Sequence, residues 1–446
     1  MVPIRSQVVI FFVAHALTAT WLAQSAAQAD QTSPGAPGPI LLTFQDALAR
    51  ARKNAPQFLA AKTDAGLAHE SKVQARAQLL PSVSYNTEYL YTQGNGTTTG
   101  VFVANNFVHE YVSQGNAHEG LNLAGGELYD LRRTQAEEAA ARAKLEIASR
   151  GLTVTVAQAY YGLAAAQRKY ATAQTALAEA QRFLKISQQL EQGGEVAHSD
   201  QIKAQIQFNE KQRGLQDARL AMESARLALA VLLFQNFEQN FALADDLDLP
   251  PPLPSFAEVR DLAGKNNPDL AAATATLAAA DAEVGAARSG HFPSVSFDYW
   301  YGIDANHFAI HDPDGTRNLG YAAAATLNVP IWNWGATQSK VKQAKLNREQ
   351  AKAELSFTQR QLVANLQSFY QEAETSRGQL ALLQQSFELA SESLRLTELR
   401  YQAGESTMLE VVDAQNTLAQ AHDSFDDAQS RYRVALAELQ TVTGAF

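Results

Sequence analysis

The chain has no cysteine among its 446 residues, which excludes disulfide scaffolds and thiolate metal centres. It has no basic excess either. Its 36 Lys and Arg stand against 46 Asp and Glu, giving a net charge of −10, so it offers no electropositive face to nucleic acid. Charged residues of both signs are only 18% of the chain. Beyond the first residues, no apolar run approaches the roughly 20 residues of a membrane-spanning helix. Catalytic signatures are also missing. The glycine-rich stretch Gly94 to Gly100 has no lysine to make a phosphate loop, and neither H-E-x-x-H nor a nucleophile elbow occurs. The sequence reads as a non-enzyme without cofactor or metal centre. His307 and His311 fall in a turn-rich loop as a solvated pair, and His109-Glu110 and His118-Glu119 give only a faint pointer to metal-ion cargo.

What is present starts with an export signal. Arg5 precedes an apolar run from Val8 to Leu17, and Ala27-Gln28-Ala29 follows before Asp30. This is the charge, apolar core and A-x-A layout of a secretory peptide, so residues 1–29 are expected to be removed. Residues 30–43, with Pro34, Pro37 and Pro39, read as an extended lead-in.

The remainder is a duplication. Phe44 and Phe256, Pro56 and Pro268, and Pro81 and Pro293 are each 212 apart (256 − 44, 268 − 56, 293 − 81), within recurring stretches such as Lys53-Asn-Ala-Pro56 and Lys265-Asn-Asn-Pro268. Later the offset becomes 210, as between Gln192 and Gln402 (402 − 192). The first repeat is placed at 44–248, a Pro-rich linker at 249–255 and the second repeat at 256–446. Each repeat opens with a helix, from about Phe44 to Gln78 and from about Phe256 to Ser289. A β segment follows. Val83, Tyr85, Thr87, Tyr89 and Tyr91 alternate with Ser82, Ser84, Asn86 and Glu88, and Val295, Phe297, Tyr299, Tyr301 and Ile303 alternate with polar partners. Period-two alternation of this kind predicts strands with one apolar face. The expected β-hairpins cover about 81–122 and 293–331, although the return strand around Phe107 to Asn122 is poorly patterned.

After Gly125 and Gly335 a helical pattern resumes for roughly 65 residues, or roughly 100 Å at about 1.5 Å per residue. It ends at tips at Gly193-Gly194 and Gly404, and helices of about 40 residues return. The second pair carries heptads. Leu362, Leu366, Phe369, Ala373, Ser376, Leu380, Leu383, Phe387, Ala390, Leu394, Thr397 and Tyr401 form one stripe. Val411, Ala414, Leu418, Ala421, Phe425, Ala428, Tyr432, Ala435, Leu439 and Val442 form the other. A mean spacing of 3.5 predicts a left-handed coiled-coil hairpin. Glu410 and Asp413 lie off this stripe, three apart on one face. They read either as a solvated, dipole-favouring helix start or as acids facing a lumen.

Four strands of about a dozen residues suit a tilted crossing of a bilayer. Four strands cannot close a barrel, and an open edge cannot sit in lipid, so other copies must complete it. Two copies give eight strands and three give twelve.

In Arg400-Tyr401-x-x-Gly404, Leu409-Glu-Val-Val-Asp-Ala-Gln415, Asn328-Val-Pro-Ile-Trp-Asn-Trp-Gly335 and the duplicated element order, the sequence resembles the TolC-like outer membrane efflux proteins, from about Phe44 to Gly444. The resemblance implies an α+β membrane protein. Long antiparallel helical hairpins and four transmembrane strands per chain would be completed as a homotrimeric, twelve-stranded barrel on an α-helical barrel. It implies a passive exit duct in the outer membrane with a long periplasmic portion. The duct would carry small molecules such as drugs, toxic compounds or metal ions from an inner-membrane pump and a periplasmic adaptor. The alternatives are a type I protein secretion duct and a non-transport helical scaffold. By the same resemblance the constriction maps to Glu410 and Asp413, the gate-holding tyrosine to Tyr401, its acidic partner to Asp200, and the adaptor-contact tips to Gly193, Gly194 and Gly404. One departure is Ser406, where some members carry a gate-locking arginine.

Overall fold

The computed structural model describes residues 40–91, 109–236, 239–248 and 251–444. The expected signal segment and the Gly94 to Gly100 turn lie outside those residues. The chain begins with β1 (Ile40–Leu42), then runs through α1 (Phe44–Asn54), α2 (Pro56–Ala77), β2 (Ser82–Tyr91), β3 (His109–Asn122), α3 (Gly126–Gln192) and α4 (His198–Leu233). A short β4 (Phe241–Leu243) leads to the second series: α5 (Phe256–Asn266), α6 (Pro268–Ser289), β5 (Ser294–Ala305), β6 (Leu319–Asn328), α7 (Ala336–Gln402) and α8 (Met408–Thr443). Corresponding helices are 11, 22, 67 and 36 residues long in both series, so one unit is used twice.

The opening helix expected in each half is in fact two helices. Ala55 and Asn267 are extended, at ψ 116 and 121, because a proline ring disfavours helical geometry in the residue before it. Pro56 and Pro268 then start the next helix, where a missing N–H costs nothing. Thr43 with Asp46 and Ser255 with Glu258 cap α1 and α5 reciprocally.

α3 and α7 run the whole length of the helical layer, roughly 100 Å at about 1.5 Å per residue. Near the sheet α2 packs on α3, and α6 packs between α3 and α7; toward the tips α4 packs on α3, and α8 lies between α3 and α7. The heptad stripes form the α7–α8 seam. Leu366, Ala373, Ser376, Ala390 and Leu394 are buried on α7, as are Val411, Ala414, Ala428, Tyr432, Ala435 and Leu439 on α8. Phe387 and Phe425 stack at 6.5 Å.

The four long strands form one antiparallel sheet in the order β2-β3-β5-β6. One face carries exposed Val83, Tyr85, Phe297, Tyr299, Tyr301, Tyr321 and Leu327. The other carries Ser82, Ser84 and Asn86 of β2 opposite His118, Asn116 and Gln114 of β3, with Glu88 opposite Val112 and Glu110 opposite Leu90. The register explains why β3 looks unpatterned in sequence. The middle of its aromatic face is small, with Gly115 opposite Tyr85 and Ala117 between Val83 and Tyr299, and the Tyr85 hydroxyl lies 2.6 Å from that of buried Ser113. Small side chains make room for the large ones beside them.

No periodicity marks the parallel pair β1–β4 in the sequence. It packs with α1 on α3 and α4 around Leu42, Tyr160, Leu163, Leu229, Leu233 and Leu247. The Tyr160 hydroxyl points at the carbonyls of Leu42, at 3.1 Å, and Ala244, at 2.6 Å. Tyr370, its equivalent 210 residues on, donates to the Pro254 carbonyl at 3.2 Å, and Tyr432 donates to that of Pro251 at 2.8 Å. Tyrosines thus tie the connecting segments to the long helices.

Candidate functional site: the helical tips

Both long helices end in the same hydrogen-bond pattern. Glu195 N–H donates to Leu190 O and Gly194 N–H to Glu191 O, each at 2.9 Å; at the second tip Glu405 N–H reaches Arg400 O at 2.8 Å and Gly404 N–H reaches Tyr401 O at 3.0 Å. Gly194 and Gly404 take φ values of 74 and 78, the left-handed conformation that favours glycine, whereas Gly193 is right-handed at φ −77.

The two return helices start differently. At the second tip Thr407 caps α8 in a reciprocal box with Glu410, whose carboxylate accepts from the Thr407 hydroxyl at 3.0 Å and its N–H at 3.3 Å. The Ser406 hydroxyl donates to the other Glu410 oxygen at 2.9 Å, and the Arg400 guanidinium stands 3.9 Å away. These donors, the Ser406 hydroxyl foremost, hold the Glu410 carboxyl below the usual carboxylate range. Asp413 is exposed and makes no hydrogen bond or ion pair with the described residues. At the first tip Ala197 gives α4 no side-chain cap. Asp200 and Lys203, each 210 residues before Glu410 and Asp413, pair there at 3.6 Å. The acid-plus-acid arrangement therefore exists at the second tip alone, and the first tip neutralises the same two positions.

Tyr401 is 9% exposed and packs against Phe183 of α3 at 5.1 Å, in a cluster with Leu184, Ala204, Met408 and Val411. Its hydroxyl is buried without a hydrogen-bond partner. The expected pairing of Tyr401 with Asp200 is therefore not formed in this structure. Instead an apolar contact joins the second tip to the first.

Two charged clusters escaped the sequence reading. Arg168 of α3 pairs with Asp245 at 2.6 Å and Asp248 at 2.9 Å, and stands 3.6 Å from Asp426 of α8, which is only 1% exposed and also faces His422 at 3.1 Å. The Asp426 carboxylate beside His422 raises the imidazole above its ordinary range. Nearer the sheet, buried Glu138 of α3 holds Lys72 at 2.7 Å and His69 at 2.8 Å, both from α2. These partners, Lys72 first, bring Glu138 down to about 2. The available cue in sequence was a charge set off the seam in an alanine-rich helix. Among the described residues, no group of three or more His, Asp or Glu is placed to hold a metal ion.

Comparison with known proteins agrees with this layout. The chain matches the family described as "Outer membrane efflux protein" over residues 47–233 and 259–445, one segment in each repeat. It is 24% identical over 410 residues to the outer membrane protein TolC of Vibrio cholerae, covering 89% of each chain. It is 24% identical over 423 residues to the alkaline protease secretion protein AprF of Pseudomonas aeruginosa, covering 91% of this chain and 86% of that one. Its fold is similar to that of the open-state MtrE outer membrane channel of Neisseria gonorrhoeae, with TM-score 0.75 at 22% identity over 90% of this chain and 89% of that one.

Proposed function

Because this chain belongs to the outer membrane efflux protein family, we propose that three copies assemble into one continuous duct for small molecules through the outer membrane and the periplasm. The protein is an outer membrane channel-tunnel, the passive exit of an export system. The observation that carries the assembly is the four-stranded sheet. Among the described residues β2 pairs only with β3 and β6 only with β5, so both edges present unpaired backbone groups. In lipid each such group costs several kcal/mol, and the cost is removed when β6 of one copy pairs with β2 of the next. Twelve strands leave room for a channel, whereas eight fill their interior with side chains. The aromatic face is turned to lipid and the polar face to the lumen. A scaffold protein would have no use for this aromatic face.

In this reading the tips hold the narrow end of the tunnel. Glu410 and Asp413 of three copies gather six carboxylates there, which favour cations. The turns at Gly193, Gly194 and Gly404 present backbone to a periplasmic adaptor that links the duct to an inner-membrane pump. Asp200 is neutralised by Lys203, and Tyr401 holds α7 to α3 by packing on Phe183.

The absence of native cysteine makes the assembly directly testable. Val83→Cys in β2 and Leu327→Cys in β6, joined by a short thiol cross-linker, should give a ladder that stops at three chains. A ladder that stops at two would replace the twelve-stranded barrel with an eight-stranded one.

A further inference from the structure

Glu119 is an acid on the wrong face of the sheet. In β3 it shares the outward side with Ala117 and Leu121, and it lies directly opposite Phe297 of β5. That side is the aromatic one, which the outer membrane reading turns toward lipid. One Glu119 carboxylate oxygen, Oε2, is buried and has no hydrogen-bond partner. An ionisable side chain on a lipid face is costly, and its retention points to a function with a specific partner.

The described strands supply no cation to pair with Glu119. Among the described residues, β2, β3, β5 and β6 contain no lysine or arginine. Another copy of the chain is also excluded. β3 is flanked by β2 on one side and β5 on the other, so the seam between copies runs along β6 and β2 and not past Glu119. What remains is the membrane. Glu119 is three residues from the end of β3 at Asn122, which leads into the periplasmic helix α3. At about 3.3 Å per residue this puts it about 10 Å above the helical layer, at the level of headgroups of the inner leaflet.

We propose that Glu119 is a lipid-recognition site that takes the ammonium group of an ethanolamine phospholipid. The carboxylate acts as hydrogen-bond acceptor, and the lipid acyl chain lies over the small side chains Ala117, Ala323 and Ala325 between the Tyr299 and Phe297 rings. Period-two alternation and the strand register place these residues on one face. The ammonium of ethanolamine carries N–H donors that a carboxylate accepts and that of choline carries none, so the site distinguishes the two. The inference rests on the outer membrane reading, but its test does not depend on transport.

The test is native mass spectrometry of the assembled protein released from nanodiscs. Discs of equal amounts of phosphatidylethanolamine and phosphatidylcholine with matched acyl chains would hold either the wild type or Glu119→Gln. The wild type should retain ethanolamine lipid over choline lipid by about tenfold, the size of one charge-assisted hydrogen bond, and Glu119→Gln should retain both nearly equally. Glu88→Gln, on the opposite face of the sheet, should keep the wild-type preference. Equal retention by the wild type, or an undiminished preference in Glu119→Gln, overturns the site. A barrel that assembles and conducts normally while showing either result would leave the duct standing and remove only the lipid site.

Discussion

Glu410 and Asp413 stand three residues apart, yet their surroundings differ. Glu410 is held by the Ser406 and Thr407 hydroxyls and lies near Arg400, so its carboxyl is held below the usual range. Asp413 has no partner among the described residues. Because these donors hold Glu410 ionised below the usual carboxylate range, its contribution to cation preference should persist in mild acid and be missing there in Glu410→Gln. Glu410→Gln with Asp413→Asn should lower cation preference at neutral pH, read as a reversal potential moving toward zero under a salt gradient. An unchanged potential would remove the acids from the constriction. Tyr401 makes a separate prediction. Its hydroxyl has no hydrogen-bond partner among the described residues, so Tyr401→Phe should change unfolding free energy by less than about 0.5 kcal/mol, whereas Tyr401→Ala, losing the Phe183 contact, should cost about 3 kcal/mol. A loss above about 1.5 kcal/mol for Tyr401→Phe would mean that the hydroxyl finds Asp200 in the assembled protein.

At the scale of elements, two junctions between helices and their neighbours can be probed. Tyr160 fixes β1 and β4 to α3 through the Leu42 and Ala244 carbonyls, so Tyr160→Phe should cost about 1–2 kcal/mol in thermal unfolding, with no change expected in conductance. Glu138 joins α3 to α2 through Lys72 and His69, and its folded value near 2 is below the ordinary 4.5. The folded state therefore binds this proton less readily than the unfolded chain. The stabilisation is fully present above about pH 4.5 and is lost as pH falls toward 2. Melting curves of wild type and Glu138→Gln should differ at pH 7 and draw together between those limits; a constant gap would show that the carboxylate charge is not the source. These elements were unequally legible in the sequence. The heptads of α7 and α8, the tip at Gly404 and the alternation of β2 and β5 follow from local spacing, which a linear sequence displays directly. The pair β1–β4 does not, because three residues near position 41 and three near 242 carry no periodicity. The small residues of β3 make sense only beside the aromatic residues of β2 and β5. The charged clusters at Arg168 and Glu138 depend on which helices become neighbours, and heptad spacing on one helix says nothing of that.

For the whole molecule, one repeated unit lays down two pairs of strands and two long helical hairpins, and the result is incomplete alone. Among the described residues its sheet has two free edges, its outward aromatic residues are exposed, and no helix is long and apolar enough to cross a membrane. In the proposed trimer, pairing of β6 with the next copy's β2 would remove both free edges and set three helical layers beneath one barrel. In the proposed assembly the chains form a duct narrowed by acids at its second tips. The most direct measurement is single-channel recording of the detergent-purified protein in a planar bilayer, with the mass of the same sample determined in parallel. The expected result is a three-chain complex with a small, cation-selective conductance that changes when Glu410 and Asp413 are neutralised. A monomer or dimer that never inserts into the bilayer would contradict it.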